Sequence, residues 1–168
     1  MTALLFADPR PPVPRAIDLR CTGVATMMDD LEGSGERGNL VHVDPPWTYR
    51  SGTADPSRDI ARRYPCLQMP EIVGHVDRAW DIAADDAYLV LWFAFPLLME
   101  WTASSGAIRW KYITGGAWVK TGKPGMGYHW RGNAEGVLVY KKGRPRPCGN
   151  TLRSGHGTER GTLPGQLN

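Results

Sequence analysis

The chain has 168 residues, the length of a single domain with a sizeable core, and its 20 Lys+Arg against 17 Asp+Glu give a formal net charge of only +3. That mild basicity suits a nucleic-acid partner without requiring one. Three cysteines without CxxC spacing (Cys21, Cys66, Cys148) and four scattered histidines (His42, His75, His129, His156) exclude a disulfide framework and a zinc signature, so no metal is expected.

No charged-then-apolar leader opens the sequence and no apolar run approaches the ~20 residues of a membrane span, so a soluble, cytoplasmic protein is expected. Taken in chain order, residues 1 to 15 are proline-rich and expected to be extended or disordered. "AIDLRC" reads as a short strand or loop at the domain's edge. Residues 29 to 39, "DDLEGSGERGN", read as an exposed connection. "LVHV" is a short buried strand ending at Asp44, with His42 a hydrogen-bonded sheet residue. Residues 50 to 65, with four arginines and no clear period, read as a long surface loop.

"MPEIVGHVDRAWDIAADD" places Pro70 at a helix start, with Ile72, Val73, Val76, Trp80 and Ala83 at helical spacing. "AYLVLWF" is continuously apolar, as in a strand covered on both faces. "PLLMEWTASSG" reads as a helix closed by Gly106, "AIRWKYITGGAWVK" as one or two strands, and "GVLVYKKG" as another strand. Residues 150 to 168 read as an irregular tail. Trp92 and Trp118 fall in strands and read as core. Strands alternating with helices predict one α/β domain over residues 1 to 168 with a largely parallel sheet, whose ligands bind beyond the carboxyl ends of the strands.

Asp44 stands at such an end, followed by Pro45, Pro46 and Trp47. The exocyclic amine of a nucleobase is a poor nucleophile because its lone pair is delocalised into the ring. A carboxylate and a rigid backbone carbonyl that accept hydrogen bonds from both N–H groups direct that lone pair at an electrophile, and proline supplies a carbonyl on a fixed φ. A tryptophan beside them can stack on the base. The alternative from the same residues is a turn that ends the strand, with Trp47 capping the core.

The order of motifs resembles the DPPW-type adenine-N6 methyltransferases, the family of the mRNA adenosine methyltransferase and its bacterial and phage relatives. The matching segments are "VHVDPPW" at 41 to 47, "YPCLQMPEI" at 64 to 72, "YLVLWF" at 88 to 93, "AWVKTG" at 117 to 122 and "GMGYHWRGNAEGVLVYKKG" at 125 to 143. The resemblance implies a Rossmann-like methyltransferase fold in permuted order, catalytic motif first, and methyl transfer from S-adenosylmethionine to adenine N6 in nucleic acid, DNA before RNA. It implies a catalytic loop of Asp44, Pro45, Pro46 and Trp47, with Asp44 also near the cofactor. Asp18 and Leu19 resemble the family's pair at the cofactor's adenosine. Tyr49, Tyr64, Lys120, Arg131, Asn133 and Glu135 fall at substrate-facing positions, and the arginines of residues 50 to 63 and "KKGRPRP" are placed to meet phosphate. A bacterial or phage-infected cell is the expected setting.

Relatives continue with a final helix, strand and W-x-x-x-G-N segment. Here Arg153, Ser154 and His156 begin like that region, and the final helix and strand are missing. That departure predicts completion by a homodimer or a partner subunit, or a catalytically silent nucleic-acid-binding relative. A cytosine-N4 methyltransferase shares the amine chemistry but more often carries Ser-Pro-Pro.

Overall fold

The computed structural model describes residues 16–19, 24–48, 65–121, 131–147 and 155–159, with side chains described at 28–48, 65–121 and 131–147. Residues 1 to 15 and the arginine-bearing stretch 50 to 63 lie outside this set. In chain order the elements are β1 (Ala16–Leu19), α1 (Val24–Ser34), β2 (Gly38–Val43), α2 (Met69–Arg78), β3 (Ala83–Phe93), α3 (Leu98–Ser104), β4 (Lys111–Thr121), β5 (Ala134–Lys142) and β6 (Gly155–Glu159).

The six strands form one sheet in the order β1-β2-β3-β5-β4-β6. β1, β2 and β3 run parallel, β5 is antiparallel to both β3 and β4, and β6 is parallel to β4. Every strand but β5 therefore points the same way. The carboxyl ends of β1, β2, β3 and β4 and the amino end of β5 meet along one rim. The stretch expected to be an irregular tail thus supplies an edge strand at Gly155–Glu159, where its backbone extends the ladder of β4.

Side chains alternate along β3, and the alternation decides what is buried. Ala87, Leu89, Leu91 and Phe93 are buried, whereas Tyr88, Val90 and Trp92 between them are half-buried. The buried set joins Val41 and Val43 of β2, Met28 of α1, Ile72 and Val76 of α2, Trp101 of α3 and Tyr140 of β5 in one cluster. The described helices therefore cover one face of the sheet. The opposite, far face carries His42, Trp92, Val137 and Val139, all half-buried. Apolar continuity in "AYLVLWF" suggested cover on both faces; period-2 burial shows one side dominant.

The helices are fixed by polar contacts as well as by the core. Gln68 and Glu71 form a capping box at the start of α2, and Pro70 occupies its first turn, where no N–H is needed. The helix stops at Arg78, short of the expected Trp80 and Ala83. The chain turns there, and the Lys142 ammonium donates to the carbonyls of Trp80 (2.9 Å) and Ala83 (3.0 Å). Residues 29 to 34, expected to be a connection, belong to α1. Two of their three acids are held by α2, because the Arg78 guanidinium bonds Asp29 and donates to Glu32 at 2.8 Å. Arg109 ties the loop before β4 to the end of α2, its fork reaching both Asp81 oxygens at 2.7 and 2.8 Å. That contact holds the Asp81 carboxyl below the usual carboxylate range. α3 ends before Gly106, and a 3₁₀ turn, Ser105–Ala107, follows it. No helix among the described residues is long and apolar enough to cross a membrane.

Two checks follow. A Cβ on Gly136 would lie 2.1 to 2.8 Å from Phe93 ring atoms, so Gly136→Ala is expected to cost about 1–3 kcal/mol by overpacking, read as a lower urea midpoint at unchanged slope. Because the folded-state pKa of Asp81 is depressed, its contribution is present above the ordinary value of about 3.9 and is lost as pH falls through the lower folded value. Arg109→Gln should therefore lose stability at neutral pH and show a shallower further decline in acid than the parent, measured by urea titrations at a series of pH values.

Candidate active site

Val43 ends β2 in the core, and the next three residues turn the chain across the rim. The Trp47 N–H donates to the Pro45 carbonyl at 2.9 Å, an i→i+2 bond that makes a γ-turn centred on Pro46. Proline's fixed φ of about −65° lies close to the inverse γ-turn value of about −75°. The Leu67 N–H donates to the Pro46 carbonyl at 2.9 Å, and Trp47 bridges Leu67 in parallel. The Thr48 hydroxyl donates to the Leu67 carbonyl at 2.8 Å. The Asp-Pro-Pro turn is thus stitched to the segment that leads into α2. Each proline carbonyl accepts one of these bonds, and a carbonyl oxygen has two lone pairs, so each retains an acceptor site.

Asp44, Pro45, Pro46, Trp47, Trp92, Phe93, Ala94 and Glu135 line a cleft of about 260 Å³ at this rim. That is just below the usual range for small-molecule sites, ~300–1,000 Å³, and suits one flat heterocycle. Asp44 is exposed and Pro45 buried. Trp47 is 7% exposed. Its ring meets Trp101 edge-on at 5.9 Å, and its indole N–H donates to the Trp92 carbonyl at 3.1 Å. Trp47 therefore caps the core and walls the cleft at once, leaving little ring face for stacking.

Besides Asp44, polar groups at the rim come from β4 and β5. Lys120 and Glu135 form an ion pair, the Lys120 ammonium lies 5.1 Å from the Trp118 ring, and the Lys120 N–H donates to the Asn133 carbonyl at 2.6 Å. Of the expected polar cluster, Glu135 lines the cleft, while Arg131 and Asn133 are exposed beside it. The backbone of β1 pairs Asp18 with His42 and Leu19 with Val43, which brings the carboxyl end of β1 beside that of β2. Tyr49 and Tyr64 lie outside the described residues, as do residues 125 to 130.

Trp92, Phe93 and Ala94 were not among the site residues expected from sequence. Trp92 and Trp118, read as core, lie half-buried on the far face with rings 5.7 Å apart. The signal for Trp92 was its place at the carboxyl end of a strand.

No protein-family model and no curated protein matches the sequence. Among solved structures, the chain is similar to the crystal structure of M1.HpyAVI, with a TM-score of 0.53 and 11% identity, over 83% of this chain and 66% of that one. A second similar structure is the M1.HpyAVI–SAM complex, with a TM-score of 0.52 and 11% identity, over 84% of this chain and 63% of that one. The fold is the Rossmann-like methyltransferase fold. At this identity the likeness establishes architecture, and the chain spans just under two thirds of the length of each of these structures. The expected α/β, Rossmann-like fold class is thereby borne out.

Trp47→Phe should keep most of the ring contacts while leaving the Trp92 carbonyl without its indole donor. A loss of about 0.5–1.5 kcal/mol is expected for one part-buried hydrogen bond, measured by denaturant unfolding with the slope unchanged.

Proposed function

We propose that this chain transfers a methyl group from S-adenosylmethionine to the N6 amine of adenine in nucleic acid, DNA in preference to RNA. The observation that carries the reading is the cleft itself. It gathers Asp44, two proline carbonyls and Glu135 at the carboxyl-end rim of a fold shared with M1.HpyAVI, a protein crystallised with SAM.

The residues present suit such a cofactor. It is cationic at its ammonium and sulfonium, and Asp44 offers an exposed carboxylate in the cleft. Asp18 and Leu19, at the neighbouring carboxyl end of β1, are proposed to hold the adenosine. When bound, S-adenosylmethionine supplies an electrophilic methyl group. Asp44 accepts one N–H of the adenine amine, and Pro45, through its second lone pair, accepts the other. The turn that follows Asp44 and supplies the Pro45 carbonyl is hydrogen-bonded before substrate arrives, so that carbonyl need not reorganise during the reaction. Glu135 is oriented by Lys120 and bounds the opposite side of the cleft. Lys120, Arg131 and Asn133, with Tyr49 and Tyr64, are proposed to meet the flanking nucleotide. The amine proton leaves once the methyl group has arrived, so no base of special pKa is needed.

The test is S-adenosylmethionine binding by calorimetry, followed by methyl transfer to adenine-containing DNA and RNA oligonucleotides. Asp44→Ala is expected to lower kcat by about 10²-fold or more while leaving the unfolding midpoint close to the parent value. Retained transfer in that variant would overturn the catalytic assignment. Oligonucleotide binding with no cofactor binding would instead identify a silent nucleic-acid-binding relative.

A further inference from the structure

Three aromatic rings line the cleft, and they are not equivalent. Trp47 is 7% exposed and Phe93 is 5% exposed, and both belong to the core cluster on the helix-covered face. Phe93 packs over Gly136, where a Cβ would lie 2.1 Å from its ring. Neither offers a free face to a flat ligand. Trp92 is one residue before Phe93 in β3, so its side chain takes the far face, where it is half-buried. It stands opposite Val137, two residues from Glu135 on the same face of β5.

Trp92 is also held in orientation. Its indole N–H donates to Nε2 of His42 on β2, and the two rings cross at 85° with centroids 6.1 Å apart. On its other flank it meets Trp118 at 88° and 5.7 Å. A neutral imidazole that accepts at Nε2 carries its proton on Nδ1, so the bond also selects the tautomer. One directional hydrogen bond and two T-shaped ring contacts fix the plane of a half-buried ring that lines the cleft. A stacking surface needs this pre-organisation, because a ring that must first be ordered loses part of the stacking energy.

From this geometry we infer that Trp92 is the ring on which the target base stacks, and that His42 is the positioning residue that sets its plane. The inference rests on the proposed adenine-N6 activity and names how that site holds its base. Trp47, the ring the motif itself suggests, walls the cleft from below.

The experiment compares Trp92→Leu, Trp92→Phe, His42→Phe and His42→Gln with the parent. Each is assayed for kcat and KM on an adenine-containing DNA oligonucleotide, and for fluorescence quenching of an oligonucleotide carrying 2-aminopurine at the target position. Trp92→Leu is expected to lose roughly ten- to a hundredfold in kcat/KM and most of the quenching. Trp92→Phe should lose less, because it keeps a ring but not the N–H. His42→Phe removes the acceptor and should weaken quenching, and His42→Gln, which restores an acceptor, should recover most of what His42→Phe loses. A folded Trp92→Leu variant within twofold of the parent in both readouts overturns the inference. Should Trp92→Leu fail to fold, the histidine pair decides: indistinguishable quenching in His42→Phe and His42→Gln overturns the positioning role. A parent chain that methylates no adenine overturns the functional reading first, and this inference with it. A parent that methylates adenine while all four variants behave alike overturns the inference alone.

Discussion

The parity of β3 governs the rest of the molecule. Because consecutive side chains point to opposite faces, burying Leu89, Leu91 and Phe93 under the helices commits Tyr88, Val90 and Trp92 to the other side. The same count in β2 places Val41 and Val43 in the core and His42 across the sheet from them. A one-residue slip in either strand would exchange the two sets. The core would then receive an imidazole and an indole with polar edges, and the cleft would lose its ordered tryptophan. Core formation and site formation are in this sense one constraint, satisfied by the same register.

Much of this was legible in the sequence, and the remainder was hidden for identifiable reasons. "LVHV" and "AYLVLWF" declared strands by composition, and Pro70 marked the start of α2. The helix over residues 24 to 34 was obscured by its own charges. Asp29 and Glu32 read as solvent-facing loop residues until Arg78, more than forty residues later, supplies their counter-charge. The end of α2 was misjudged because Trp80 keeps helical spacing, whereas its carbonyl is taken by Lys142 from a distant strand. Long-range partners of this kind override local pattern and leave no trace in it.

The candidate site divides in the same way. Asp44 through Trp47 could be found because the residue types carry their chemistry with them: an acid, two rigid carbonyls and a ring at a strand's end. Both readings of Trp47 were open from sequence, and its burial against Trp101 favours the core cap while keeping it in the cleft wall. Trp92 was harder to find. Its neighbours are apolar on both sides, so the run shows that a strand is buried without showing which parity faces the helices. The His42 contact that orients Trp92 joins residues fifty positions apart.

The antiparallel direction of β5 also decides how the cleft is assembled. Within the described sheet, β4 and β6 bond to β1, β2 and β3 only through β5. The cleft straddles the β3–β5 ladder, with Asp44 and Trp92 on the β2–β3 side and Glu135 on β5. The two acids of the cleft thus arrive from opposite chain directions, Asp44 just past the carboxyl end of β2 and Glu135 from the amino end of the antiparallel β5.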